Sequence, residues 1–482
     1  MGHQYKYLLI ILLILYTLGV SYIGYHNRNS KTGEDYFLAS RTLPPWLLAI
    51  TFVASWWGGG SAVDLVDQAR IQGIGSFWIY GVPVLIATFL MFVFAGAIRR
   101  ASTLTQPEMM EERYDSRSGF MLTLFIIIFM TVSAASQVIV IGNFFHTFFN
   151  ISYEWGAVIG TAMVAFYSLF GGFRGVVLTD LLQFIFFLLA SIFLLYIISD
   201  SAGGFAALAE YSSRPENAEF ASFWYGAKNN LAYIVTFGAS WMIQANVWQR
   251  IAAARNPRDA RKMMSISFFT FIPLYIMVTL TGMFSAIVYD TAPSGGVVTD
   301  MLLNTQSPVV SALVFVGICS AIMSTMDSLF NTGSLALSID LYKRHISPSV
   351  SQKNLVSIGR LSTLLMASVS LLIAIKIKSV LTISWIGADF LATGAFVPLI
   401  AGFLWKRGTS TGAFASMIFG LLFSCYNLAS ALGAPFPVAW EIASAPQAIV
   451  GICSSLLIYI SVSLLSKSEN DKASAFIRKT LK

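Results

Sequence analysis

The chain has 482 residues, 56% of them hydrophobic and only 11% charged, with a formal net charge of +7 and a mean hydropathy of +0.72. A water-soluble core cannot bury that much apolar surface, so the composition excludes a soluble enzyme and implies an all-α polytopic membrane protein. The positive charge needs no nucleic-acid partner, because its distribution accounts for it, as argued below.

Thirteen apolar stretches approach the roughly 20 residues a helix needs to cross a bilayer. They centre near residues 16, 58, 87, 133, 163, 188, 238, 276, 323, 365, 391, 421 and 456. The first, Tyr7 to Tyr25, has a single flanking lysine, Lys6, and no small-residue cleavage pattern after it, so it reads as a retained helix rather than a signal peptide. The second holds TFVASWWGGGSAVD, with Gly58, Gly59 and Gly60 at mid-span. Such a run weakens a helix, and an unwound segment there exposes carbonyls that can bind ions; a glycine-rich packing face is the plainer alternative. Further along, SLFGGFRGVVLTDLLQ places Asp180 next to Thr179, and CSAIMSTMDSLFNTGS places Asp327 in an otherwise apolar run. In the latter, Ala321, Ser324, Asp327, Ser328 and Asn331 follow helical spacings of three and four and share one face. Hydroxyls and carbonyls in a dry place suit a hard cation such as sodium. Hydroxyls bonding to the carbonyl four residues back explain any single member of that stripe, but not the cluster around Asp327. Cys319, Cys425 and Cys453 all fall inside spans and imply no disulfide framework.

With thirteen crossings, alternate loops lie on opposite sides, and one side receives 24 of the 30 Lys and Arg. The other keeps Lys6, Arg70, Arg214, Lys228, Lys376 and Lys378. The positive-inside rule then sets the N-terminus outside and the C-terminus in the cytoplasm, in a plasma (inner) membrane. By the same accounting every basic residue, Arg250 included, belongs to a loop, so Asp180, Asp327 and Asp389 are left in the membrane without a basic partner. Intramembrane acids mark ion or substrate paths, unless they are kept neutral or capped by hydroxyls as helix–helix contacts.

These motifs, together with LYTLGVSYIGYHNRNSKTGEDYFLASRTLPPW, LFGGFRGVVLTDLLQ and AIMSTMDSLFNTGSLALSIDLYKR, resemble the sodium:solute symporter family over nearly the whole chain. The resemblance implies the leucine-transporter fold: a core of five-plus-five inverted repeats, with one extra helix before and two after. The expected parts are 1–44 (extra helix and loop), 45–200 and 201–405 (the two repeats) and 406–482 (two C-terminal helices and a cytoplasmic tail). It implies a main sodium site from the carbonyls of Ala54, Trp57 and Ala321 with the hydroxyls of Ser324 and Thr325. A second cation site would use Asp180 with Asp327 and Ser328, where Asp327 is either a ligand or a protonated donor. Facing the midplane cavity, the resemblance sets Ser55, Trp56, Gln137, Trp241, Gln244 and Asp389. Interfacial anchoring accounts equally for Trp241 and for Trp248. Asp389 would meet an ammonium group or form a protonated helix–helix bridge. The ASWWGGG, MSTMDS and GAD segments look closest to the choline-carrier branch, yet Ser133, Pro83 and Gln244 stand where its aromatic cage needs rings.

The expected function is therefore sodium-coupled symport, importing a small polar organic solute by alternating access. The alternative is a transporter-like sensor that binds solute without accumulating it. An enzyme is not expected, because His3, His26, His146 and His345 lie at tails or span ends and form no ligand spacing.

Overall fold

A computed structural model describes residues 3–27, 38–101, 103–293, 295–304, 307–431 and 444–481. Part of the N-terminal motif quoted above, residues 28–37, lies outside the described residues. The described chain is helical throughout: α1 (His3–His26), α2 (Pro45–Trp56), α3 (Leu65–Gln72), α4 (Gly81–Ala101), α5 (Gln106–Arg113), α6 (Ser116–Phe149), α7 (Tyr153–Ser201), α8 (Leu231–Met242), α9 (Ala245–Ala252), α10 (Pro257–Val288), α11 (Pro308–Leu335), α12 (Gln352–Lys376), α13 (Val380–Leu391), α14 (Val397–Leu404), α15 (Ser410–Ala431), α16 (Ala445–Leu465) and α17 (Asn470–Leu481).

Ten of the described helices are long and apolar enough to cross a membrane, and Pro45–Trp56 and Leu231–Met242 are shorter apolar helices. The stretches expected as separate crossings near 163 and 188 adjoin in α7, where the helix is broken at Gly172 (φ 53°, ψ −171°), a conformation open essentially to glycine alone.

Two interruptions matter most. The chain of α2 leaves helical geometry at Trp57 (φ −85°, ψ 69°) and resumes through a wide turn at Gly60–Asp64 into α3. Later, α8 ends at Ile243 (φ −108°, ψ 13°) and α9 begins after Gln244. A break at membrane depth frees backbone groups that lipid cannot satisfy, so the surrounding protein must do it. At the second break it does: Gln106 Nε2 donates to Ile243 O at 2.9 Å, and Trp248 Nε1 donates to Met242 O at 2.7 Å.

The innermost helix is α11, in which 23 residues are buried, Ser311 to Leu335 with few gaps. It packs along α7, and Gly317 makes that approach possible, since a side chain there would fall 2.6 Å from the carbonyl oxygen of Phe186. The polar stripe read from the sequence thus sits at the centre of the bundle, facing the broken segment of α2.

Candidate functional site

At the end of α2 the Ala54 carbonyl lies 3.2 Å from Ser324 Oγ and 3.3 Å from Thr325 Oγ1. Ser324 has one proton, and its bond of 2.5 Å to Asp180 Oδ1 claims it. The Ser324–Ala54 approach is then between two oxygens, an arrangement that a shared hard cation relieves. Trp57, three residues after Ala54, and Ala321, three residues before Ser324, are fully buried. Trp57 N–H stays with α2, bonded to Val53 O at 2.9 Å, while its ψ of 69° turns its own carbonyl out of the helix. The neighbouring glycines are required by space. A Cβ on Gly58 would fall 2.9 Å from Thr325 Oγ1, and one on Gly59 would fall among the Val140 side-chain atoms. From α6, Gln137 Oε1 accepts the Gly59 N–H at 2.8 Å and so holds the unwound segment in place. Of the residues expected at the main sodium site, Ala54, Ser324 and Thr325 are therefore brought together. Among the described residues no cluster of three or more His, Cys, Asp or Glu side chains makes a transition-metal site.

The region around Asp180 corrects the sequence reading. Arg250 lies not in a loop but in α9, 1% exposed, and pairs with Asp180 Oδ2 at 3.2 Å. Its Nε donates to Thr51 Oγ1 at 3.1 Å, one terminal nitrogen donates to Ser328 Oγ at 2.8 Å, and the other donates to Asn246 O at 2.8 Å. The Thr51 hydroxyl in turn donates a hydrogen bond to Asp180 Oδ2. The hydropathy window centred near 238 closes before Arg250, and the break after α8 lets the short helix α9 carry the guanidinium back into the bundle. Asp180, Ser324 and Ser328 do come together, but around a guanidinium. Asp327 sits apart from it, its Oδ1 accepting the Ser168 hydroxyl at 2.5 Å. Thr51 and Arg250 belong to this cluster, and no local sequence signal points to either.

Between the two helix breaks lies a cavity of about 80 Å³ whose lining includes Ser55, Trp56, Gln137, Trp241 and Gln244. Trp56 Nε1 donates to Gln244 Oε1. The rings of Trp56 and Trp241 stand 5.9 Å apart, and Trp241 stacks on Tyr80 at 6.1 Å and 14°. Tyr80, Tyr275 and Phe129 also face this space, which sequence reasoning missed. Ser133 and Gln244 do stand on the wall, but rings from other helices supply the aromatic surface that the choline comparison found lacking. Among the described residues no charged side chain lines the cavity. The structure does not bring Asp389 there; it borders a separate small pocket with Ser424, Asn427 and Gln447.

Toward the end carrying Lys378, a vestibule of about 770 Å³ opens, lined by Asp64, Asp67, Asn143 and Tyr233. Tyr80 links it to the cavity by donating to Asp64 Oδ2 at 3.1 Å. At the opposite end the space by Gln106, Trp248 and Gln249 is about 30 Å³. Among the described residues the wider approach to the cavity is at the Lys378 end.

The comparisons agree with this architecture. The family model described as "Sodium:solute symporter family" matches residues 36–420. The chain is 27% identical over 444 residues to the sodium/proline symporter of Escherichia coli (strain K12), covering 86% of both chains. It is 26% identical over 485 residues to the osmoregulated proline transporter OpuE of Bacillus subtilis (strain 168), covering 95% of both. Among solved structures, a Na+-coupled sialic acid symporter in a substrate-bound outward-open state superposes with a TM-score of 0.81 at 17% identity, covering 96% of this chain and 98% of that one. MhsT in complex with L-phenylalanine gives 0.54 at 13%, covering 87% and 97%. These two relatives are proline carriers, and nothing in them supports the choline-carrier detail drawn from the motifs. With most of its length matched by the family model and its fold shared with sodium-coupled carriers, the chain belongs to the sodium:solute symporter family, as a transporter and not an enzyme.

Proposed function

We propose that the protein uses the sodium gradient to import a small polar organic solute of amino-acid size through the cavity between the two broken helices. The observation that carries this reading is the junction at Trp57–Gly59. There one unwound segment touches the Ala54/Ser324/Thr325 oxygens on one side and the solute-sized cavity on the other, with Thr325 bordering both. Sodium at Ala54, Trp57, Ala321, Ser324 and Thr325 would fix the segment that shapes the cavity, which makes the two ligands mutually supportive. Backbone N–H groups at the start of the resumed helix, Gly60 and Ser61, favour an anionic group. The rings of Trp56, Tyr80 and Trp241 suit an apolar body. Proline, carried by the relatives, is the first compound to test.

The repeats 45–200 and 201–405 would rock about this site between the vestibule and the narrow end. The N-terminus would lie outside and the C-terminus in the cytoplasm of a plasma (inner) membrane. Arg250 takes the place of a second cation at Asp180 in this conformation, so one sodium per solute is the stoichiometry proposed for it. The test is a screen of solutes for thermal stabilisation of the purified protein in sodium against potassium, since a ligand that stabilises only with sodium names both partners. No stabilisation by proline or by any other small polar solute in sodium would reject the reading.

A further inference from the structure

We propose that Asp389 anchors a separate sodium-binding site between α13 and the C-terminal helices α15 and α16, outside the central cavity. Asp389 is 3% exposed, and among the described residues no Lys, Arg or His forms an ion pair with it. Thr393 Oγ1 approaches Asp389 Oδ1 at 3.2 Å. Around the carboxylate stand Ser424 and Asn427 of α15 and Gln447 of α16, which are 1%, 7% and 2% exposed. Ser424 and Asn427 face the Asp389 carboxylate as donors, yet Ser424 Oγ, Asn427 Oδ1 and Gln447 Oε1, all buried, make no hydrogen bond of good geometry. Buried polar atoms are rarely orphaned, and several that border one pocket beside one carboxylate point to something held between them.

The pocket they border has a volume of about 10 Å³, room for a single water-sized particle. Asp389, Thr393, Ser424, Asn427 and Gln447 together supply oxygens with one formal negative charge. That is the donor set of a dehydrated monovalent hard cation; a divalent ion would need more carboxylates or its own water shell, for which there is no space. Trp385 Nε1, also unpartnered beside the pocket, is a donor and stays outside the ligand set.

The backbone is built to hold these groups at fixed distance. Directly after α13 the helix widens into a π-turn at Ala392–Phe396, a form that recurs at functional sites. Its residues lock against both C-terminal helices, since a side chain on Gly420 would fall 2.7 Å from Gly394 N and one on Gly451 would fall 2.8 Å from Thr393 Oγ1. Sodium would then tie α15 and α16 to α13, the helix whose Ser384 borders the central cavity.

The test is equilibrium binding of tracer sodium to the full-length protein in lipid nanodiscs without solute, in a Ser324→Ala/Thr325→Ala background that disables the main site. This separates the proposal from the central one, because transport plays no part in the readout. Residual sodium binding, not displaced by potassium, is expected in that background. Adding Asp389→Asn abolishes it, and Gln447→Leu, which leaves the carboxylate in place, weakens it about tenfold by removing one ligand. Either of two results overturns the proposal: no residual binding in that background, or residual binding that both further substitutions leave unchanged, which would assign a proton or a structural water to the pocket.

Discussion

Gln137→Leu tests how much of the ion affinity resides in the unwound backbone rather than in the ligands themselves. The substitution keeps side-chain bulk but removes the acceptor that lies 2.8 Å from the Gly59 N–H. A buried donor left without a partner costs about 1–3 kcal/mol. If that cost falls on the bound geometry of residues 57–59, sodium affinity drops about 5- to 150-fold, at 1.4 kcal/mol per tenfold. Because Gln137 borders the cavity, water can reach the freed N–H, and a loss of about tenfold is expected. Equilibrium binding of tracer sodium to the purified variant measures it, with the melting temperature recorded to show that the fold survives. A sodium affinity within about twofold of the parent, at unchanged melting temperature, would show that the segment holds its shape without Gln137.

Three further outcomes follow from the same geometry. Ser324→Ala and Thr325→Ala each remove one hydroxyl beside the Ala54 carbonyl and should raise the sodium concentration needed for half-maximal transport without loss of folded protein; unchanged sodium dependence in both makes the stripe a packing surface. Arg250→Gln strands Asp180 in the core at a cost of about 3–5 kcal/mol, so the single variant should melt well below the parent while Arg250→Gln/Asp180→Asn recovers most of the loss; equal melting temperatures for single and double variants would refute the pairing. Trp56→Ala removes a cavity wall and the donor to Gln244, and titrations should show solute binding weakened more than sodium binding; equal weakening of both would move the solute elsewhere.

Glycine marks what was legible in the sequence. Three successive glycines at mid-span predicted the first helix break, because their effect on a helix is local. The second break, at Ile243–Gln244, has neither glycine nor proline, and it persists because Gln106 from a distant helix and Trp248 from the helix that follows satisfy the freed carbonyls. Spacing grouped Ala321, Ser324, Asp327, Ser328 and Asn331 on one face of α11; of these, Ser324 and Ser328 meet the Asp180–Arg250 cluster, while Asp327 accepts from Ser168. Arg250 was misread, since a basic residue after an apolar stretch reads as a loop charge, and only the distant Asp180 makes it a buried one. Asp389 was assigned to the right helix and the wrong face. Ser384 borders the central cavity, and five residues at about 100° each carry Asp389 roughly 140° around the helix from it. The rings of Tyr80, Tyr275 and Phe129 come from three separate helices or turns, and sequence periodicity does not reveal which residues meet across a bundle.

The central claim is coupling, and the direct measurement is tracer sodium and solute uptake followed together in proteoliposomes, with proline as the first solute. The account predicts solute accumulation against its gradient only when sodium is imposed outside, with sodium entering alongside it in fixed ratio and both fluxes lost in Ser324→Ala/Thr325→Ala. Binding of solute without accumulation, or accumulation indifferent to the sodium gradient, would contradict it.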